Sequence, residues 1–431
     1  MRIIVLGTGL VGAAMARDLA EEKNWNISVA DVSTESLKRL QNDGRITKIQ
    51  ADLSKAKTLL KLASKSDLII GALPGFMGFE ALKTLISAGK NIVDISFFPE
   101  NPMVLDALAK KKGVTAIVDC GVAPGCSNML IAYACSRMEK TNSAACYVGG
   151  LPKTRTWPYE YKAVFSPIDV LEEYTRPARY VENGKIVVKP ALSEPELLDF
   201  PPIGTLEAFN TDGLRTLMDT MDIPDMKEKT LRYPGHIEKM KVLRETGFFG
   251  KNEIKIGKKS VRPMEVTARL LFPLWKLEEG EADFTVMRIT VEGTKNSKTV
   301  RYTCELYDEY DPAAKTTSMA RTTGYAATSA ARMLASGIFK RRGICPPEYI
   351  GMEEKACRFM LKQMAGKNIN YKERFETIKT ARQQETCREA GKGRHCPQSV
   401  PVGRHSARHL MSRRLVVPRA LRAACPSAPG G

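Results

Sequence analysis

The chain has 431 residues, of which 43% are hydrophobic and 26% charged, with a net charge of +18. The length suits two or more domains, and the composition is that of an ordinary globular protein. No apolar run reaches the roughly 18 residues of a membrane span, so no membrane partner is expected. The opening Met1-Arg-Ile-Ile-Val-Leu-Gly7 reads as a strand rather than a secretory signal. Ten cysteines without CxxC pairs suggest reduced thiols and a cytoplasmic protein. Residues 377–431 hold 11 Lys/Arg and 2 Asp/Glu, half of the net excess. The basicity therefore belongs mostly to a tail, and a nucleic-acid partner is not expected.

Short β-branched runs alternate with helical spacing over residues 1–125. Strands are predicted at Arg2–Leu6, Ile27–Val32, Ile46–Ala51, Asp67–Ala72, Asn91–Ile95 and Thr115–Asp119, with helices at Leu10–Glu22, Thr34–Gln41 and Phe79–Ala88. Such alternation points to a doubly wound parallel sheet of the Rossmann type, an α/β fold. A mixed α+β domain over 126–345 follows. Ser166 and Pro167 mark a helix start, and Asn183-Gly184 turns a hairpin across Tyr180–Val188. A second hairpin joins Phe284–Glu292 to Lys298–Tyr307, and helices are expected at 213–221, 236–246, 262–271, 318–336 and 353–365. The sheet of this domain is expected to be antiparallel. Residues 346–376 are set apart as a C-terminal segment around the last of these helices. Residues 377–431, rich in Arg, Pro, Gly, Ser and Ala, are expected to be disordered.

The first chemical signal is Gly7-Thr8-Gly9-Leu10-Val11-Gly12, set between a strand and a helix, with Asp31 19 residues further on. Gly7 permits the turn, Gly9 lets backbone approach a pyrophosphate, and Gly12 lets helix and strand pack closely. Asp31 at the next strand end accepts hydrogen bonds from a ribose diol and repels a 2′-phosphate, which favours NAD. Leu73-Pro74 and Asp94, at later strand ends, are placed beside the cofactor. Asp119 is either a cleft carboxylate or a pin for its own loop. His236 is the only histidine before the tail. At a helix N-terminus its imidazole is kept neutral, as a general base requires, although a merely packed histidine is the commoner case. Arg215 and Arg232 offer guanidinium forks for a carboxylate, with surface solvation as the plain alternative. Cys120 and Cys126, and the tail residues Cys387, His395, Cys396, His405 and His409, match no metal spacing, so no metal site is expected.

Gly7-x-Gly-x-x-Gly12, Asp119-Cys-Gly-Val-Ala-Pro-Gly125, Tyr147-Val-Gly-Gly150, Leu206-Glu-Ala-Phe209 and Arg232-Tyr-Pro-Gly-His-Ile-Glu-Lys239 resemble the saccharopine dehydrogenase-like family, with lysine 6-dehydrogenases the nearest group. The likeness runs from Met1 to about Tyr371. It implies a C-terminal helix over residues 346–376 packed back on the first domain, a nicotinamide cofactor, oxidation of a C–N bond in lysine or its adducts, and a homo-oligomer, dimeric or larger. Saccharopine reductases of the family carry an aspartate where Ala123 stands and prefer NADP. Ala123 and Asp31 thus point to NAD and to a lysine-type amino-acid substrate. Thr211-Asp-Gly-Leu-Arg215 departs from the lysine 6-dehydrogenase pattern and leaves the amine open. The expected reaction is NAD-dependent oxidative deamination of the ε-amine of L-lysine to 2-aminoadipate 6-semialdehyde. His236 is the first choice of base and Asp119 the second, and Arg215 or Arg232 holds the carboxylate. Saccharopine or a carboxyalkyl polyamine is the alternative substrate. A non-catalytic NAD-binding module with a nucleic-acid-binding tail is the alternative of another class.

Overall fold

The computed structural model describes residues 1–40 and 43–378. Gln41, Asn42 and residues 379–431, with the cysteines and histidines of the tail, lie outside the described residues. The first sheet forms from β1 (Arg2–Leu6), β2 (Asn26–Asp31), β3 (Ile46–Gln50), β4 (Leu68–Gly71), β5 (Asn91–Asp94) and β6 (Thr115–Ile117). All are parallel, in the order β3-β2-β1-β4-β5-β6. β6 ends two residues earlier than the β-branched run suggests, because Asp119 turns to φ +49 and leaves the strand. Helices Leu10–Leu19, Thr34–Lys38, Ala56–Ser64, Gly75–Ser87 and Asp106–Lys111 make the crossovers. Ala56–Ser64 escapes the sequence pattern because it buries only Leu59 and Ala63. The order reverses beside β1, so the carboxyl ends of β1 and β4 open the crevice where α/β sheets take ligands.

A second sheet is built from β7 (Lys140–Pro152), β8 (Ala178–Glu182), β9 (Lys185–Lys189), β10 (Glu196–Phe200), β11 (Gly204–Asn210) and β12 (Asp225–Arg232). A separate hairpin, β13 (Ile254–Ile256) with β14 (Lys259–Val261), comes before the long pair β15 (Asp283–Lys295) and β16 (Lys298–Glu309). Asn183 and Gly184 both adopt positive φ between β8 and β9, as the hairpin reading requires. The sheet is not wholly antiparallel. β7 and β12 pair in parallel at its centre, Cys146 opposite Glu228. The long excursion between them brings β12 back in the direction of β7, as a parallel pair demands.

Two later segments depart from expectation. β17 (Gly343–Cys345) adds to β6 in parallel and becomes the seventh strand of the first sheet. Three residues are too few for periodicity to reveal. Helices Pro347–Gly351 and Glu354–Ala365 pack on Cys126–Cys135, and the second also packs on Ser318–Ala335. β18 (Tyr371–Thr377) then pairs antiparallel with β16, so Thr377, counted with the tail in the sequence reading, ends a strand. The Ala-rich helix Ser318–Ala335 joins the two sheets. It lies on helix Leu10–Leu19, where Gly324 leaves room for Met15 and Val11, and also touches β4, β5, β15 and β16. Arg332 clamps the contact through Asp18 and Glu22, each at 2.7 Å.

Candidate active site

A cleft of about 710 Å³ runs from the glycine turn after β1 to the face of β12. Its nucleotide end follows from local backbone needs. A side-chain carbon on Gly7 (φ +97) would stand 2.4 Å from the Ala72 carbonyl oxygen, and one on Gly12 2.0 Å from that of Gly7. Gly9 meets no protein atom in the corresponding direction, and it lines the cleft. Gly9 also caps helix Leu10–Leu19 without a side-chain bond, so the helix dipole and its first N–H groups remain for an anion. Leu10, Val11, Gly12, Leu73 and Pro74 line the same wall.

Asp31 lines the cleft beyond this turn and is held rigidly. Thr8 donates to its Oδ2 from the backbone N–H at 2.7 Å and from the hydroxyl at 3.0 Å, and the Ser33 N–H donates to Oδ1 at 2.8 Å. Thr8 is fully buried and acts through Asp31 rather than on the cleft. Asp94 is one step behind the wall as well. It accepts from the Ser96 N–H at 2.7 Å and packs where a side chain on Gly71 would stand. Burial pushes its carboxyl up to about 7. The glycine cradle, the uncapped helix and the anchored Asp31 together fit a dinucleotide.

The opposite end brings both sheets together. Asp119 lines the cleft after β6, and Arg215 reaches it from the segment after β11. The Arg215 Nε–H points at both Asp119 oxygens (3.3 and 3.2 Å), Nη2 reaches Oδ1 at 3.2 Å, and Nη1 donates to the Phe98 carbonyl at 2.6 Å. Both residues adopt positive φ, +49 and +52, an uncommon backbone for side-chain-bearing residues that the ion pair helps to hold. Arg215 is thereby spent inside the protein and does not line the cleft, in contrast to its predicted role as carboxylate ligand.

Arg232 does line the cleft, stacked 4.6 Å from the Tyr161 ring. It donates to Glu173 at 2.7 Å, to the Tyr174 hydroxyl at 3.1 Å and to the Leu231 carbonyl at 2.9 Å. His236 stands behind this pair. Its Nδ1 lies 2.9 Å from the Tyr159 carbonyl oxygen, so that nitrogen carries the proton, and Nε2, 3.0 Å from the Tyr174 hydroxyl, accepts from it. Burial first, and the Arg232 charge second, pull the imidazole down to about 3. His236 is thus neutral through burial and the nearby guanidinium rather than through its helix position, but it is not among the cleft-lining residues and both nitrogens are engaged. Its place is to fix Tyr174 and hence Arg232, which corrects the sequence expectation of a base.

Several functional candidates carried no motif. Along β12 the two-residue period puts Glu228, Thr230 and Arg232 on one face, and all three line the cleft. In sequence, Glu228 stands between Lys227 and Lys229 in no recognisable motif. In the structure Glu228 is 5% exposed, and its Oε2 is buried without a hydrogen-bond partner among the described residues. Its carboxyl lies against Gly213, where any side-chain carbon would overlap it. Burial, then the carboxylates of Glu173, Asp212 and Asp119, push it up to about 8. Asp169 and Glu173 of helix Pro167–Thr175 are also raised by burial. The Ser166-Pro167 start finds that helix, but nothing in it signals that its acidic face looks into a cleft.

Cys120 and Cys126 are buried, and no metal-holding group of His, Cys, Asp or Glu occurs among the described residues. No helix there is long and apolar enough to cross a membrane.

Two stability predictions follow from the burial of these charges. Arg215→Met strands the Asp119 carboxylate and should cost about 3–5 kcal/mol in urea unfolding, with partial recovery in the Arg215→Met/Asp119→Leu double variant. Glu228 gives a pH signature. Between its ordinary value of 4.5 and about 8, the folded chain keeps a proton that the unfolded chain has lost. Its contribution to stability therefore falls as pH rises through that window. Glu228→Gln, which does not titrate, should gain urea midpoint over the unsubstituted chain from pH 5 to pH 8; a pH-independent difference would refute the burial reading.

Residues 3–117 match the family described as saccharopine dehydrogenase NADP binding domain, and residues 121–369 match saccharopine dehydrogenase C-terminal domain. A saccharopine dehydrogenase [NADP(+), L-glutamate-forming] of Pyricularia oryzae is 26% identical over 318 residues, 69% of this chain and 69% of its own length. The mitochondrial alpha-aminoadipic semialdehyde synthase of Mus musculus is 26% identical over 249 residues, 54% of this chain but 27% of the relative. Among solved structures, an apo saccharopine dehydrogenase (L-Glu forming) of Saccharomyces cerevisiae superposes with a TM-score of 0.72 at 19% identity, covering 87% of this chain and 99% of that one. The two domain matches, joined across a cleft with a dinucleotide cradle at one end, show that this chain belongs to the saccharopine dehydrogenase family of amino-acid dehydrogenases.

Proposed function

We propose that the chain catalyses NAD-dependent oxidative deamination of the ε-amine of L-lysine, giving 2-aminoadipate 6-semialdehyde and ammonia. The observation that carries this reading is the charge of the cleft beyond the glycine turn. Six carboxyl side chains (Asp119, Asp169, Glu172, Glu173, Asp212 and Glu228) line it against two guanidiniums, Arg176 and Arg232. Two of those carboxyls hold arginines that do not line the cleft, Asp119 with Arg215 and Asp212 with Arg179 at 2.8 Å. Asp169 and Glu228 form no ion pair among the described residues, and in a low-dielectric wall such carboxyls favour a cationic amine and oppose an accumulation of substrate carboxylates.

Saccharopine has three carboxylates to place, whereas lysine has one. Arg232 supplies the matching contact, since only three of its N–H donors are directed to Glu173, Tyr174 and Leu231. Glu173, Tyr174 and His236 hold that guanidinium in one orientation, which keeps a bound lysine in one register along the cleft. The glycine turn and Asp31 would hold a nicotinamide dinucleotide, which would supply the hydride acceptor for the carbon bearing the amine. Phe97, Phe165 and Met319 supply apolar wall at the same end, which limits water until an imine is ready for hydrolysis.

For the cofactor, Asp31 supports NAD. Its carboxylate, anchored by Thr8 and Ser33, is set to receive ribose hydroxyls and to repel a 2′-phosphate. A second reading, saccharopine with NADP, draws on the names of the relatives and on Arg39, which lines the nucleotide end near Ser36 and offers a cation to a 2′-phosphate.

Turnover decides between the two. With NAD, NADH should form on L-lysine and on 1,5-diaminopentane, and saccharopine should support less than about a tenth of the lysine kcat/KM, a difference of about 1.4 kcal/mol. Turnover on saccharopine alone would overturn the lysine reading. Asp31→Ser should narrow the preference for NAD over NADP by about tenfold or more, read as the ratio of kcat/KM values.

A further inference from the structure

Beyond the glycine turn the cleft contains six carboxyls, and five of them have evident employment in the fold. Asp119 is bound to Arg215, Glu173 to Arg232, and Asp212 to Arg179 through paired bonds of 2.8 and 2.9 Å. Glu172 faces Lys251 at 2.9 Å. Asp169 sits beside Ser166 and the Gly75 backbone at the mouth of its own helix. Glu228 alone is both buried and without a hydrogen-bond partner on Oε2 among the described residues.

A carboxyl in that state costs stability, and an apolar side chain of similar size would remove the cost. Three features keep it in place. Gly213 leaves the space it fills, β12 points it to the same side as Thr230 and Arg232, and the cleft reaches it. The groups around it are Glu173 from helix Pro167–Thr175, Asp212 and Arg215 from the segment after β11, Asp119 after β6, and Cys146 opposite it on β7. Acids outnumber the one cation among them. The position is therefore one that holds a proton when the cleft is free and that a bound cation converts to carboxylate.

We propose that Glu228 is the acid–base residue of the cleft, which receives the substrate ammonium and takes one proton from its nitrogen. In that step an N–H bond breaks, the O–H bond on Glu228 forms, and the pair left on nitrogen makes the neutral amine; nothing is oxidised or reduced. The same carboxyl, once emptied of its proton to solvent, is placed to accept one from the water that later attacks the imine carbon. The proposal rests on the reading that the substrate is an amine, and it assigns the proton transfer to a side chain in the cleft rather than to His236.

The test uses the full chain, unsubstituted and as Glu228→Gln and Glu228→Asp. L-lysine, 1,5-diaminopentane and saccharopine are titrated calorimetrically at pH 7 in two buffers of different ionisation enthalpy, which counts protons released on binding. The unsubstituted chain should release about one proton more per amine bound than Glu228→Gln, because the cation ionises the carboxyl. Glu228→Gln should lose about 10²–10⁴-fold in kcat while binding NADH normally by fluorescence. Glu228→Asp should recover part of that loss with a displaced pH profile. Equal proton counts in the unsubstituted chain and Glu228→Gln, or turnover of Glu228→Gln within about tenfold with an unshifted pH profile, would overturn the assignment. If saccharopine is the amine that binds, the lysine reading fails, yet the proton count on saccharopine still decides Glu228.

Discussion

The buried pairing of Asp119 with Arg215 is the contact on which the cleft depends. It ties the loop after β6 of the first sheet to the segment after β11 of the second, and the same guanidinium holds the Phe98 carbonyl from the loop after β5. Three chain segments from two sheets thus meet at one charge. Such a pair gives little net stability over an apolar substitute, because desolvation offsets most of the attraction. What it supplies here is geometry. Both partners sit at positive φ, so the bond and the two backbone turns require one another, and the loops that wall the cleft are kept in register.

Around that pair, burial does chemical work that side-chain type alone does not. Glu228, Glu173 and Asp169 are ordinary acids, yet each is raised by desolvation because the cleft wall excludes water. Glu173 is offset by Arg232, whereas Glu228 has neighbours that are mostly acids. The difference between a carboxylate that braces an arginine and one free to exchange a proton is one of neighbours within a few ångströms. His236 shows the converse. Its imidazole is neutral for the physical reasons a base would need, but it faces a carbonyl and a tyrosine hydroxyl, so its neutrality serves to orient Tyr174 and Arg232.

The first sheet was legible because parallel strands buried on both faces leave long β-branched runs, and because the glycine turn must be glycine at Gly7 and Gly12 for steric reasons. The hairpins were legible from Asn183-Gly184 and from the alternation of β15 and β16. β17 was not, since three residues carry no period and its pairing is with a strand more than two hundred residues earlier. The parallel pairing of β7 with β12 was hidden for a similar reason. Strand direction depends on the path between strands, which no local pattern records.

Sequence alone determined the α/β class and the glycine turn of the dinucleotide cradle with Asp31 at the next strand end, and it offered Asp119, Arg215 and Arg232 as candidates beside a plain structural reading of each. These are properties of local backbone conformation and of short-range spacing. Tertiary structure decided what each charge does. Arg215 turned inward to Asp119, Arg232 stayed on the cleft wall, His236 stands behind it, and Glu228, which carried no motif, is buried with no hydrogen-bond partner on Oε2 among the described residues. A side chain's role follows from which charges and how much water lie beside it, and in this chain those neighbours come from segments distant in sequence.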